Sequence, residues 1–196
     1  MQKEYGDESL IYALSLMESE NRRVAEIPND ISNGFVVIDD VRIPFSDREI
    51  LENKLYMAMP SEFEIMPIEQ AKIKYPSEDR PNVIFTNADG SMNIGFTFTK
   101  DCLGDGETAD TRDFLQAFVA KTNPSVTIIS SDAVEGEMGI AYFDFISTVP
   151  DGEVYNLFFL FTMDRRLVLG TFNCSHFYKA RWRDVVAQML RSVRMV

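Results

Sequence analysis

The apolar positions along this chain switch between two periods, and the switches divide it into elements. Leu10, Ile11, Leu14 and Met17 recur at helical spacing and predict a short amphipathic helix over 8–20 with acidic flanks. The stretch NRRVAEIPNDISNG (21–34) is polar, holds Pro28 and Gly34, and reads as a linker. In FVVIDDVRIPF two apolar runs flank Asp39-Asp40, which predicts a small hairpin whose second arm Pro44 confines to an edge. LYMAMP (55–60) follows as a strand with Leu55, Met57 and Met59 on one face, ended by Pro60. IEQAKIKYP supplies one or two helical turns before Pro76. In NVIFTNADGSMNIGFTFT the Asp89-Gly90 turn joins two arms, and Ile94, Phe96 and Phe98 alternate with Asn93, Gly95, Thr97 and Thr99.

The second half repeats this contrast of periods. TADTRDFLQAFVAKTNP predicts a helix capped by Thr108 or Asp110, with Phe114, Leu115, Phe118 and Val119 as its buried stripe and Asn123-Pro124 as its stop. Three strands follow: VTIIS with its continuation, GIAYFDFIST and VYNLFFLFTM. The last is apolar on both faces, with Leu157, Phe159, Phe161 and Met163 opposed to Phe158 and Leu160. A strand buried on both sides implies a layer above and a layer below its sheet. Asp151-Gly152 and Asp164-Arg165-Arg166 mark turns, so these strands are expected to be antiparallel neighbours. LVLGTFNC puts Val168, Gly170, Phe172 and Cys174 on one face and leads into a terminal helix. The expected fold class is α+β: a central antiparallel sheet flanked by helices, an α/β/α sandwich. The expected division is an N-terminal helix and linker over 1–34 and one domain over 35–196.

Candidate chemistry concentrates in FNCSHFYKARWRD (172–184), which holds the only histidine, the only tryptophan and one of the two cysteines. Ser175 stands where an N-cap belongs. From there Tyr178, Trp182, Val185, Val186, Met189 and Val193 make one apolar stripe, so Trp182 reads as a core anchor. Cys174 falls on the inward face of its strand, where a thiol is unreactive. A cysteine-dependent enzyme built on Cys174 and His176 would need thiolate, base and an orienting group to converge. Zinc would need three or four ligands, and His176, Cys102 and Cys174 are the chain's only imidazole and thiol donors. The acidic loop DCLGDGETADTRD (101–113) departs from a calcium loop at Leu103 and Arg112, the third and twelfth positions. No glycine-rich nucleotide motif, HExxH or GxSxG occurs. The expected catalytic, cofactor-binding and metal residues are therefore none.

Charge narrows the partners. With 19 basic and 31 acidic residues the chain carries −12, which argues against nucleic acid and anionic membranes. Residues 151–196 nonetheless hold seven basic against four acidic residues. Lys179, Arg183 and Arg194 fall away from the Trp182 stripe and are the candidate partner-binding residues, for an acidic surface of another protein or of a second copy. The start of the chain lacks the basic and apolar regions of a secretory signal, no apolar run approaches a membrane span, and two cysteines allow one disulfide at most. The expected location is cytoplasmic.

Two stretches carry a family resemblance. LYMAMPSEFEI, with Met57, Met59, Pro60 and Phe63, is similar to the opening strand of the Mog/PsbP-like fold family. LVLGTFNCSHFYKARWRDVVAQMLRSVRM resembles that family's last long strand and terminal helix, with Ala180, Trp182, Leu190, Ser192 and Val193 at matching places. The group includes a Ran-binding nuclear import factor, the extrinsic PsbP proteins of photosystem II and bacterial chaperone-like adaptors of type VI secretion effectors. The resemblance covers about 51–196 and implies an antiparallel sheet with helices on both sides. It implies binding or accessory roles and no catalytic residues. The leading expectation is thus a non-enzymatic, cytoplasmic interaction module of bacterial type, adaptor- or chaperone-like. The alternatives are a small-ligand binder with an apolar pocket between sheet and helix, and the Cys174–His176 enzyme.

Overall fold

The computed structural model describes residues 29–104, 106–150 and 152–196. The helix expected over 8–20 lies outside them. In chain order the elements are β1 (Phe35–Ile38), β2 (Val41–Leu51), β3 (Leu55–Pro60), β4 (Glu64–Ile65), α1 (Ile68–Lys74), β5 (Val83–Thr86) and β6 (Asn93–Cys102). Then come α2 (Thr108–Thr122), β7 (Val126–Val134), β8 (Ile140–Val149), β9 (Gly152–Met163), β10 (Arg166–Ser175), α3 (Lys179–Arg191) and β11 (Arg194–Met195). They build a seven-stranded antiparallel sheet, ordered β4-β5-β6-β10-β9-β8-β7, and a four-stranded one, ordered β1-β2-β3-β11. The fold class is α+β, as the alternation of periods predicts.

Local chemistry sets the turns. Asp39 and Asp40 join β1 to β2 with φ of 51° and 62°, and Asp164 and Arg165 join β9 to β10 with φ of 51° and 61°. Two consecutive left-handed residues twist the chain in the sense the flanking strands already have. Pro44 behaves differently from the expectation of an edge arm. β2 runs between β1 and β3, but its first part, up to Pro44, pairs with β1, and its last part, from Phe45, pairs with β3. Pro44 sits at that handover, where its missing N–H breaks no ladder, and its carbonyl accepts the Ser61 amide at 2.8 Å.

The main core lies between one face of the large sheet and a cover made jointly by α3 and the small sheet. Ile94 and Phe96 of β6, Leu157, Phe159 and Phe161 of β9, and Val168 and Phe172 of β10 supply the sheet side. Trp182, Val185, Val186 and Met189 of α3, with Leu55, Met57 and Met59 of β3, supply the cover. Gly170 is part of this packing, because a Cβ there would come within 2.0 Å of the Phe159 ring. The ring lies directly over the glycine, against which Phe159 pairs, and meets Phe96 edge-on at 5.6 Å. A single sheet between helices, as expected from the sequence, leaves out this second sheet.

The opposite face is more thinly covered. α1 seats Ala71 against Met66 and Ile84, and α2 seats Leu115 against Ala141, Leu160 and Leu167. The expected stripe of α2 is only half observed: Leu115 and Val119 turn inward, but Phe114 and Phe118 are 69% and 55% exposed. Arg112 takes the inward space, donating to the Asp132 carbonyl of β7 at 3.0 Å and pairing with Asp113 at 2.8 Å. Neither Thr108 nor Asp110 caps α2. The helix follows Glu107, whose carboxylate accepts the Gly104 amide at 2.7 Å.

Candidate interaction surface

β10 carries the chemistry-bearing stretch straight into the core. Cys174 stands on its inward face opposite Tyr155, is 1% exposed, and has its thiol pushed up to about 12 by burial. Such a thiol is protonated and unreachable at neutral pH. Ser175 makes no side-chain cap; instead His176–Tyr178 form one 3-10 turn before α3 begins. That turn carries His176 to the surface, where its Nε2 faces Glu153 at 3.9 Å while Nδ1 is buried with no hydrogen-bond partner among the described residues. The imidazole's ionic neighbour is therefore a carboxylate, and the thiolate–imidazole pair needed by a cysteine-dependent enzyme is not formed. Among the described residues, no three or more histidine, cysteine or acidic side chains are grouped to hold a metal ion.

α3 is fixed from both sides of its apolar stripe. Trp182 stacks on Phe172 with centroids 6.2 Å apart. Beside it Arg183 reaches down to the fully buried Asp144 of β8, its Nε 2.9 Å from Oδ2, and to Ser130 Oγ of β7 at 2.7 Å. Ser130 donates to Asp144 Oδ1 at 2.6 Å and Tyr155 to Oδ2 at 3.0 Å. A buried carboxylate needs such donors, because losing water without replacement costs several kcal/mol. Burial and the Asp144 charge push the Tyr155 hydroxyl well above the usual tyrosine range, so it remains a donor. The sequence reading missed this cluster. Its signal is Asp144 sharing a strand face with Ile140 and Tyr142, which are both buried.

The three candidate cations fare differently. The expectation is that Arg183 faces solvent away from the stripe; instead its side chain is 40% exposed and its guanidinium is held by Asp144. Arg194, on β11, makes two bonds to the Asp47 carboxylate at 3.0 and 2.7 Å, which hold that acid below its ordinary range. Arg181, not among the candidates, pairs with Asp39 at 2.5 Å and lies over the Phe177 ring. Among the described residues, neither Lys179 nor Arg191 has an ion pair within the chain.

Arg191 borders an open groove of about 570 Å³. It lies where the C-terminal end of α3 meets β2, β3 and the 3-10 turn Ile31–Asn33. Ile31, Phe45 and Ala58 give it apolar walls, and Ser46, Asp47 and Arg191 a polar rim. Its geometry is tied to the helix. Gln188 accepts the Ile31 amide at 2.9 Å and donates to the Asn29 carbonyl at 3.0 Å. Ser192 Oγ accepts the Ala58 amide at 2.9 Å and donates to the Met189 carbonyl at 2.6 Å. Residues 29–34, the end of the stretch read as a linker, are thus packed against α3. The apolar pocket anticipated between sheet and helix is a different place, and there Phe172, Trp182 and Met189 fill the space.

No family model and no curated protein matches the chain. Solved structures do. Cyanobacterial PsbP (CyanoP) from Synechocystis is similar over 78% of this chain and 92% of its own, with a TM-score of 0.55 and 11% identity. LpqN of Mycobacterium tuberculosis, described as involved in cell envelope biogenesis, is similar over 87% of this chain and 99% of its own, with a TM-score of 0.50 and 13% identity. Identities this low speak for the backbone arrangement alone. What the chain shares with these proteins is its architecture, a PsbP-like fold.

Proposed function

We propose that this protein is a non-enzymatic accessory module that binds another protein through the groove at the C-terminal end of α3. The observation that carries this reading is Arg191: an exposed cation with no ion pair among the described residues, placed on the rim of an open, apolar-walled groove. The groove is built on a helix held rigid by Trp182 and by the Arg183–Asp144 pair, and a preordered surface loses little entropy on binding. Lys179 extends the uncommitted positive charge along the same helix, whereas Arg183 and Arg194 act by fixing it. The net charge of −12 favours a protein partner over nucleic acid or an anionic membrane. An exposed, unpaired Cys102 suits a reducing compartment, and we place the protein in the cytoplasm. The helices on both faces of the large sheet support treating 35–196 as one α/β/α unit with a sheet added to one layer.

The test compares partner capture by the wild type, Arg191→Glu, and Lys72→Glu on α1 at the opposite face of the large sheet. Loss with Arg191→Glu alone, at unchanged melting temperature, supports the reading. Equal capture by all three overturns it. A small-ligand site is the second reading, favoured by a groove volume within the roughly 300–1,000 Å³ of such sites. Ligand-dependent stabilisation abolished by Ala58→Trp would favour it over a protein partner.

A further inference from the structure

α2 presents a second surface, on the opposite face of the large sheet from the groove. Its inward face is Thr111, Arg112, Leu115, Gln116 and Val119, all at least half-buried. Successive residues rotate by about 100° around a helix, so Asp110, Phe114, Ala117, Phe118 and Lys121 share the outward face. All five are exposed. Two phenylalanines on consecutive turns, both more than half in water, are an unusual load for a helix that already has an inward face.

The order of this face is self-complementary. Asp110 lies at one end, Lys121 at the other, the two phenylalanines between them, and Ala117 keeps the middle low. A two-fold axis through the helix near residue 116 exchanges the ends. It sets Asp110 against Lys121 of the second copy at both ends and Phe114 against Phe118 at the centre. Identical patches related by such an axis are the ordinary way a chain pairs with itself. We infer that α2 is a homodimerisation helix, packing antiparallel on α2 of a second copy with a phenylalanine centre and two Asp110–Lys121 bridges.

The contact is small. A phenylalanine buries about 150–250 Å² at most, so four partly covered rings add roughly 300–600 Å², short of the ~1,200 Å² of a standard interface. The dimer is therefore weak, with a dissociation constant on the order of 10 μM to 1 mM. Its terminal bridges are exposed, so it weakens further with salt.

Sedimentation equilibrium of the full chain across that concentration range tests this. The wild type should show a monomer–dimer equilibrium, and Phe118→Ser should raise its dissociation constant at least about tenfold at an unchanged melting temperature. Asp110→Lys and Lys121→Asp should each weaken the dimer, because each sets like charges face to face, and the double exchange should restore it. Arg191→Glu, at the groove, should leave the mass distribution unchanged, which keeps this inference separate from the proposed function. A wild type monomeric up to about 1 mM, a dimer indifferent to Phe118→Ser, or a double exchange that fails to restore pairing would each overturn it. So would a monomer that uses Phe114 and Phe118 to bind phosphatidylcholine vesicles or a different protein.

Discussion

The two long helices among the described residues lie on opposite faces of one sheet and obey different rules. α3 buries Trp182, Val185, Val186, Met189 and Leu190, whereas α2 buries no residue fully. α3 meets a sheet face rich in Phe159, Phe161 and Phe172 and shares the cover with β3. α2 meets a face where Phe143, Phe145 and Phe158 already pack on one another, with centroids 5.2 to 5.8 Å apart. A sheet whose aromatics satisfy each other asks less of the helix above it. α2 is thus held by Leu115, Val119 and the Arg112 bond to β7, and is free to present phenylalanines outward. The difference teaches that burial of a helical stripe depends on what the opposing surface lacks.

The contrast can be broken at several points. Trp182→Ala should have the largest effect, about 3–5 kcal/mol, because it empties a filled site against Phe172. A melting temperature equal to wild type would show that α3 is no better anchored than α2. Arg183→Leu comes next. It leaves the Asp144 carboxylate with only Ser130 and Tyr155, and we expect a loss of about 2–3 kcal/mol. That is below the roughly 3–5 kcal/mol of a fully buried pair, because the Arg183 side chain is 40% exposed. Chemical denaturation measures it, and a loss no larger than that of Arg181→Leu would sink the anchoring role.

Arg194→Gln should be milder, within about 1 kcal/mol, since Asp47, unlike the buried Asp144, is 55% exposed. Here pH gives the signature. Arg194 lowers the Asp47 pKa from its ordinary 3.8, so the pair contributes stability above that value and loses it as pH falls through the lowered one. Wild type and variant should therefore differ at neutral pH and converge in strong acid; a gap that persists there would point to packing instead. Phe114→Ser should change stability least, within about 0.5 kcal/mol. A larger loss in dilute, monomeric protein would mean that α2 is better buried than its exposure indicates.

Much of this molecule was legible in the order of its residues. The alternation Val168–Gly170–Phe172–Cys174 placed the cysteine inward, and the spacing Trp182–Val185–Val186–Met189 placed the face of α3. Both readings rest on local geometry, since a strand repeats every two residues and a helix every 3.6. The short polar junctions Asp39-Asp40 and Asp164-Arg165 marked hairpins for the same reason.

Tertiary structure alone decided what depends on partners distant in the chain. Phe114, Leu115, Phe118 and Val119 span an arc of about 140°, no wider than the one α3 buries, so the split of this stripe was decided by Arg112, which takes the inward space and reaches β7. The role of Arg183 followed from Asp144, and the groove followed from the end of α3 meeting β3 and the 3-10 turn, where Ser192 binds Ala58 and Gln188 binds Ile31. Periodicity states which side of an element is apolar. It carries no information on which buried charge waits opposite or which strand lies alongside, because those interactions exist only after the chain has folded.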